Sequence, residues 1–220
     1  MNNQEIKVYK NLQGLNDKWA AETRRLLADA GLIMLNLISS PGAGKTTLLE
    51  KMAKALVGRM RFAVLEGDLE TTRDAARLQA LKIPTCQLIT GSGCHLNAKM
   101  VHHALRDLPL HELDLVIVEN VGNLVCPAQF DIGESAKIAL LSVTEGEDKP
   151  LKYPLLFREA KAVVLTKIDL LPHLSFDLEE CLKYLKQING SIPIFQLSSV
   201  TGRGLDAWLN WLLQLRASLP

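Results

Sequence analysis

The fold of this 220-residue chain is decided by one stretch, residues 32–52, which reads LIMLNLISSPGAGKTTLLEKM. An apolar run typical of a buried strand leads into a loop with two glycines, and the residues from Lys45 onward read as a helix. This strand–loop–helix order is the context that a phosphate-binding P-loop requires. Gly42 and Gly44 allow backbone amides to converge on phosphates, Lys45 reaches the β and γ oxygens, and Thr46 offers a hydroxyl to Mg²⁺.

The loop departs from the usual pattern at one position, because Ser39 stands where the first glycine is expected. The alternative to a phosphate site is a glycine-rich turn that binds no ligand. The placement of Gly-Lys-Thr directly after a strand favours the phosphate site instead. That site is predicted to use Gly42, Ala43, Gly44, Lys45, Thr46 and Thr47.

Apolar runs recur along the rest of the chain and predict seven strands in all. They are continuous in Val, Ile and Leu, as in strands covered on both faces, and most are separated by helix-like stretches. The pattern predicts an α/β fold, a single P-loop NTPase domain with a mostly parallel sheet between helix layers. The predicted strands are Leu32–Ile38, Phe62–Leu65, Gln87–Ile89, Leu115–Val118, Ile138–Leu141, Val163–Leu165 and Ile194–Leu197.

A helix is predicted ahead of the first strand, because apolar residues between Leu15 and Ala30 alternate with charges and Gly31 suits a helix end. We expect residues 1–31 to form a helical extension packed on the domain. Residues 32–220 are expected to form the nucleotide-binding G domain.

Composition excludes several function classes. The chain is 48% hydrophobic and 22% charged, with a net charge of +1 and no long block of like charge. It therefore lacks the electrostatic footprint of a nucleic-acid or anionic-membrane protein, and neither partner is expected. No apolar run approaches the roughly 18 residues of a membrane helix, and no signal segment is evident, so a cytoplasmic protein with reduced thiols is predicted.

Thr166-Lys167-Ile168-Asp169 follows a predicted strand and suggests a guanine site. A carboxylate at Asp169 can accept hydrogen bonds from N1–H and the 2-amino group of guanine, while the Lys167 stem lies along the base. Adenine offers no such donor pair. Ser198 and Ser199 follow the last strand, where a small loop would meet the base. GTP or GDP is therefore favoured over adenine nucleotides.

Two acidic positions follow other predicted strands and are candidates for the Mg²⁺ shell. Glu119 stands where an Asp is more usual, so its longer arm favours a contact through water. Asp68 lies in the acidic loop Glu66–Asp74, which is a candidate first switch. Asp74 has an equally good interpretation as a helix-capping acid.

Cys94, His95 and Cys126 are candidate metal ligands. A Gly-Ser-Gly loop entering a helix allows Cys94 and His95 to converge on one ion, and a nearby helix start is expected to lower the pKa of the thiol. Thiolate and imidazole together suit Ni²⁺ or Zn²⁺. Taken without further context, two distant cysteines and one histidine more often serve packing than metal binding. His102 and His103 remain open as extra ligands or helix surface, and Cys86 and Cys181 are interpreted as structural.

Together these segments resemble the nickel-incorporation GTPases of hydrogenase maturation, the HypB family, within the SIMIBI class of P-loop GTPases. The resemblance spans nearly the whole chain. It is carried by residues 39–47, 66–74, 93–96, 119–127 and 144–150.

The resemblance implies GTP hydrolysis with Mg²⁺ and GTP-dependent homodimerisation. It also implies a metal site at the dimer interface formed by Cys94, His95 and Cys126, and a role for Lys149, reaching toward the partner's nucleotide. The implied partners are a small nickel metallochaperone and a hydrogenase large-subunit precursor. Lys45, Asp68, Glu119 and Lys149 are the implied catalytic set.

Three alternatives remain at the level of sequence. Urease-accessory GTPases share the fold, but they carry a Cys-Pro-His triplet where this chain has Cys126-Pro127-Ala128. An ATP-dependent small-molecule kinase would use the acidic loop 66–74 as a substrate site. A nickel-binding module would turn over nucleotide only incidentally.

Overall fold

A parallel sheet of seven strands forms the centre of the molecule, with the strand order β3-β2-β4-β1-β5-β6-β7. The computed structural model describes residues 3–68, 73–91 and 93–218. The strands are β1 Ile33–Ile38, β2 Phe62–Asp68, β3 Thr85–Ile89, β4 Leu115–Glu119, β5 Ala136–Ser142, β6 Ala160–Thr166 and β7 Ile194–Gln196.

Helices follow most of the strands. They are α1 Asn3–Asp29, α2 Lys45–Ala55, α3 Arg73–Gln79, α4 Ala98–Leu105, α5 Cys126–Gln129, α6 Lys149–Lys152, α7 Pro154–Glu159, α8 Leu178–Ile188 and α9 Leu205–Ala217. Two 3-10 helices cover Leu110–Glu112 and Ile168–His173. In the part of the chain that the structure describes, no helix combines the length and apolar character needed to cross a bilayer.

The predicted α/β class, the parallel sheet and all seven strand positions are confirmed. Both faces of the sheet are covered, as the continuous apolar runs require. One face packs against α2, α3 and α9. The other packs against α1 and α4 over β1, β2 and β4, and against α7 and α8 over β5 and β6.

The α1 helix packs mainly against α4. The rings of His102 and His103 each lie 5.1 Å from the Trp19 ring, measured between centroids. His102 Nδ1 is also 3.4 Å from Thr23 Oγ1, and burial lowers the pKa of this histidine. Both histidines therefore serve the contact between α1 and α4.

The alternation of side chains along the strands positions the functional site. On the face toward α2, the apolar rows of β1, β2 and β4 lead at their carboxyl ends to three polar residues: Ser39, Glu66 and Glu119. Successive strand residues point to opposite faces, so residues two apart share a row. Three polar side chains thus collect beneath the loop that follows β1. Ligands of open parallel sheets bind at this edge.

Candidate nucleotide and metal sites

The loop between β1 and α2 has the backbone geometry of a phosphate cradle. Gly42 and Gly44 have positive φ angles of 73° and 99°, a conformation that other residues adopt only with strain. Gly44 is the N-cap of α2, so the free amides of this helix start face the loop. Ala43 is buried, and Thr47 lines the adjoining cavity of about 470 Å³.

Lys45 and Ser39 form a buried pair within this loop. Lys45 Nζ donates a hydrogen bond to Ser39 Oγ at 2.9 Å, and the Ser39 hydroxyl donates to Ser40 O at 2.7 Å. Burial lowers the pKa of the Lys45 amine, whereas the charge of Glu119 raises it. Ser39, the departure from the usual glycine, therefore holds the ammonium of Lys45 at the cavity.

Thr46 and Glu119 join the start of α2 to the end of β4. Thr46 Oγ1 donates to Glu119 Oε1 at 2.7 Å, and both residues are buried. Burial raises the pKa of Glu119, although Lys45 and the Thr46 hydrogen bond oppose this shift. Beside it, burial and the charge of Glu119 raise the pKa of Glu66 to about 8.

The donor set around Thr46 fits Mg²⁺, which prefers hydroxyl, carboxylate and water oxygens. Oε2 of Glu119 and Oε2 of Glu66 are buried and have no hydrogen-bond partner among the described residues. Asp68 and Asp74 line the same cavity. A hydrated divalent cation would satisfy these oxygens and offset the repulsion between neighbouring carboxylates.

The acidic loop that was predicted as a first switch is described only at its ends, because Leu69, Glu70, Thr71 and Thr72 lie outside the described residues. Asp74 is in the first turn of α3, and Arg77 Nη1 donates to it at 2.9 Å. Arg77 also bonds Glu50 at 2.8 Å and Thr47 at 3.4 Å. Asp74 thus forms an ion pair at the cavity wall, and it also stands where an acid stabilises the start of a helix.

Side chains at the end of β6 form hydrogen bonds with two carbonyl groups of the P-loop. Thr166 Oγ1 donates to Ala43 O at 2.7 Å, and Lys167 Nζ donates to Gly42 O at 2.7 Å. Lys167 has a φ of 60°, which is uncommon for a residue with a side chain and is frequent at functional sites. Asp169 follows, and its Oδ1 atom is buried with no hydrogen-bond partner among the described residues.

Ser198 and Ser199 form the start of the loop after β7. The Ser198 hydroxyl accepts hydrogen bonds from the amides of Val200 and Thr201 at 3.2 and 3.1 Å. Ser198 is therefore occupied in shaping its own loop. Ser199 is buried beside it.

The three predicted metal ligands do converge. One ligand atom from each of Cys94, His95 and Cys126 lies within 4.8 Å of the others, and this is the one such group of potential ligands found within residues 3–68, 73–91 and 93–218. Cys94 Sγ is 3.5 Å from His95 Nδ1. The His95 ring stacks on Phe130 with centroids 4.0 Å apart, which fixes its orientation. His102 and His103 are not members of this group.

The expected effect of a helix start on the Cys94 thiol is wrong. The helix α4 begins at Ala98, with Asn97 as its N-cap, so Cys94 precedes its first turn. A hydrogen bond with Cys126 raises the pKa of the Cys94 thiol, with a further contribution from burial. Ser92 of the preceding Gly-Ser-Gly segment lies outside the described residues.

The segment after His95 links the cysteine cluster, formed by Cys94, His95 and Cys126, to the cavity beside the P-loop, which is called the phosphate cavity below. Leu96 N donates to the Asn120 side chain at 3.3 Å, and Asn120 directly follows Glu119. The Leu96 side chain also covers Gly67, where an added Cβ would lie 2.8 Å from Leu96 Cδ1. Gly67 directly precedes Asp68. Leu96 thus touches the neighbours of both acidic Mg²⁺ candidates.

Lys149 is separate from the phosphate cavity of its own chain. It begins α6, and its Nζ lies 3.9 Å from Glu145 Oε2 and 5.4 Å from the centroid of the Tyr153 ring. It is not among the residues that line the P-loop cavity.

Sequence reasoning missed Glu66, Thr166 and Asn120 as parts of the site. By sequence pattern, Glu66 is only the start of an acidic loop. The alternation of β2 contained a signal for it, because Glu66 continues the buried row of Phe62 and Val64. Thr166 and Asn120 gave no comparable signal, since their roles depend on contacts with distant segments.

This geometry defines a P-loop NTPase. The family model for the CobW/HypB/UreG nucleotide-binding domain matches residues 33–196. Hydrogenase maturation factor HypB of Azotobacter vinelandii is 49% identical over 213 residues, covering 97% of this chain and 70% of that protein. The chain belongs to the HypB family of hydrogenase maturation factors.

Two further relatives agree with this assignment. HypB of Escherichia coli strain K12 is 50% identical over 197 residues, covering 90% of this chain and 68% of that protein. The crystal structure of HypB from Helicobacter pylori in complex with nickel is similar with a TM-score of 0.88 and 41% identity. That match covers 92% of this chain and 95% of the solved chain. The predicted family resemblance is confirmed, and the kinase alternative is not supported.

A Gly122→Ala substitution tests the contact between the loop after β4 and the P-loop. A Cβ at this position would lie 2.8 Å from Pro41 Cγ and 2.9 Å from Pro41 N and Cα, so the P-loop backbone must shift. We expect nucleotide affinity to fall by about tenfold or more, with about 1–3 kcal/mol lost from the free energy of unfolding. Isothermal titration and urea unfolding measure the two effects.

Gly14→Ala is the matched control, because its Cβ would meet nothing within 4 Å. That variant is expected to bind nucleotide as the parent does. Parent-like nucleotide affinity in Gly122→Ala would show that this contact does not constrain the P-loop.

Proposed function

We propose that this protein hydrolyses GTP and uses the nucleotide cycle to deliver nickel during hydrogenase maturation. The observation that carries the proposal is the meeting of a P-loop and a Cys-His-Cys cluster through the short segment around Leu96. The HypB relatives and the nickel complex of the Helicobacter pylori protein support it. In this proposal residues 1–31 form the extension, and 32–220 the G domain.

The residues of the phosphate site that the sequence predicts have the following roles in the proposed hydrolysis. Lys45 moves its ammonium from Ser39 to the β and γ oxygens, and the α2 amides hold the phosphate. Thr46 would ligate Mg²⁺ through its hydroxyl, while Asp68 and Glu119 would accept hydrogen bonds from waters bound to the metal. Mg²⁺, when bound, offsets the charge that develops on the transferred phosphoryl group.

Guanine is the proposed base because Asp169 carries an unpaired, buried oxygen next to the P-loop brace formed by Thr166 and Lys167. A buried carboxylate oxygen without a partner is costly in the protein alone. The guanine N1–H and 2-amino donors would satisfy it. Ser199 faces the base in this proposal, and Ser198 maintains its loop.

Asp169→Ala removes both acceptors and leaves the guanine donors unpaired. We expect a loss of about 2–4 kcal/mol in GTP binding, measured by titration of a non-hydrolysable GTP analogue. Asp169→Asn is the companion variant, and it should bind xanthosine triphosphate better than the parent does. The guanine assignment fails if Asp169→Ala binds GTP with the parent's affinity.

A GTP-dependent homodimer is part of the proposal. Lys149 lies outside the phosphate cavity of its own chain, half-buried between Glu145 and Tyr153. A short rearrangement of its side chain would release the ammonium toward a partner subunit's γ-phosphate. A cation at that position stabilises both the GTP-bound dimer and the transition-state charge.

With a GTP analogue bound, Lys149→Ala is expected to raise the dissociation constant of the dimer by about tenfold or more. The nucleotide affinity of the monomer should stay within about twofold of the parent's. Light scattering and analytical ultracentrifugation measure the dimer. Lys152→Ala is the control, because Lys152 pairs with Asp148 on the exposed side of the same helix. Equal dimer content in Lys149→Ala and the parent would exclude the role.

Nickel is the proposed cargo of the Cys94, His95 and Cys126 cluster. Three ligands per chain are fewer than the four of a closed tetrahedral or square-planar site, so water or a second subunit completes it. Zn²⁺ fits the same donors. Partners in the proposed delivery are a small nickel metallochaperone and the hydrogenase large-subunit precursor.

Cys126→Ala tests both the site and its link to the nucleotide. We expect Ni²⁺ and Zn²⁺ to bind the parent with affinities that differ between the GTP-analogue and GDP forms, because Leu96 and Asn120 join the two sites. In Cys126→Ala the affinity should fall by about a hundredfold, as expected for loss of a thiolate ligand.

Cys86→Ala is the control variant, since this half-buried cysteine lies on β3 outside the cluster. Its metal affinity should equal the parent's. Identical affinities in the two nucleotide states of the parent would remove the coupling. Full metal binding by Cys126→Ala would remove the site itself.

A further inference from the structure

Glu66 is a buried carboxylate that the proposed hydrolysis leaves without a role. Its side chain lies on β2, is 3% exposed and lines the phosphate cavity. Its Oε2 atom is buried without a hydrogen-bond partner among the described residues. Unpaired buried carboxylate oxygens are rare because desolvation is costly, so a ligand for this oxygen is indicated.

The sheet register places Glu66 beside Glu119. The two residues are direct partners in the parallel pairing of β2 with β4. Paired residues on neighbouring parallel strands point to the same face, with the strands about 4.8 Å apart. Oε2 of Glu119 is equally unpaired, while its Oε1 accepts from Thr46. Two carboxylates therefore meet beside the Thr46 hydroxyl.

Among the described side chains, the cations that line the cavity are each bonded to other groups, including Lys167, whose Nζ donates to Gly42 O. Lys45 acts electrostatically on both carboxylates, but its ammonium is bonded to Ser39 and carries one charge. Arg77 also lines the cavity, and it is held by Glu50 and Asp74 at 2.8 and 2.9 Å. The local charge thus favours a further, divalent cation. Mg²⁺ keeps several of its waters when it binds proteins.

We propose that Glu66 is a positioning residue for hydrated Mg²⁺, accepting a hydrogen bond from one of the waters of the metal. This inference rests on the proposed nucleotide and Mg²⁺ site. Glu119 would accept a hydrogen bond from a second water of the same shell, so the two carboxylates would together position the hydrated cation at Thr46. Neither carboxylate has to displace a water from the metal. Hydrogen-bonded outer partners of this kind tune metal affinity strongly.

If Glu66 had a purely structural role, replacing it would leave Mg²⁺ binding unchanged. If Glu66 only filled space at the end of β2, glutamine would replace it without loss, since the two side chains have nearly the same volume. Glutamine would also relieve the repulsion with Glu119. The variant Glu66→Gln therefore separates the two roles, because it keeps the shape but, unlike Glu66, cannot become a carboxylate when the cation binds.

The test measures Mg²⁺ affinity directly through the dissociation rate of fluorescent mant-GDP at increasing Mg²⁺. In the parent, Mg²⁺ should slow dissociation. In Glu66→Gln the Mg²⁺ concentration for half of this effect should rise about 10-fold to 100-fold. Dissociation in EDTA should stay within about twofold of the parent, because no contact with the nucleotide is removed. Glu66→Asp keeps the charge with a shorter reach and should give an intermediate shift.

Glu159→Gln is the matched control, because Glu159 is exposed at the end of α7 and does not line the cavity. Its Mg²⁺ midpoint should equal the parent's. An unchanged midpoint in Glu66→Gln and Glu66→Asp, alongside a shifted one in Glu119→Gln, overturns the inference. Mant-GDP that binds the parent without any Mg²⁺ dependence would instead contradict the proposed function.

Discussion

The hydrogen bond from Thr46 to Glu119 is the contact on which the rest of the site depends. It joins the first turn of α2 to the end of β4 across 2.7 Å in a buried setting. The contact is possible because β4 lies next to β1 in the sheet, which brings the two carboxyl ends together. Lys45, Ser39 and Glu66 are arranged around it. A displaced α2 would leave all of these polar groups buried without partners, a cost of several kcal/mol.

The P-loop is also held from outside its own strand and helix. Thr166 and Lys167 bond the carbonyls of Ala43 and Gly42, and Gly122 lies against Pro41. These contacts fix carbonyls that would otherwise compete with the phosphate for the loop amides. They also join the end of β6, which is proposed to recognise the base, and the loop after β4 to one cradle. Preorganisation of this kind lowers the ordering cost of nucleotide binding.

The cysteine cluster and the phosphate cavity are close in the chain's tertiary structure because one segment serves both. Leu96 follows His95, covers Gly67 and bonds Asn120. In the proposed mechanism, a rearrangement of either acidic strand end would reach the backbone next to His95 through Leu96. Coupling between two sites requires such a shared element with differential contacts in its two states. Such coupling would pass through the direct contacts of Leu96.

Sequence alone determined the fold class, the seven strands, the P-loop and the three residues that converge in the cysteine cluster, because each depends on local pattern or on residue chemistry. Only the tertiary structure decided which strand ends become neighbours. The order β3-β2-β4-β1 places Glu66 beside Glu119. The packing of α1 on α4 places the His102 ring against Trp19, so this histidine serves the contact between the two helices. The tertiary structure also reversed the expected pKa shift of Cys94, since the thiol lies before α4 and next to Cys126. Strand order and helix packing arise from contacts between residues distant in sequence, which local periodicity does not encode.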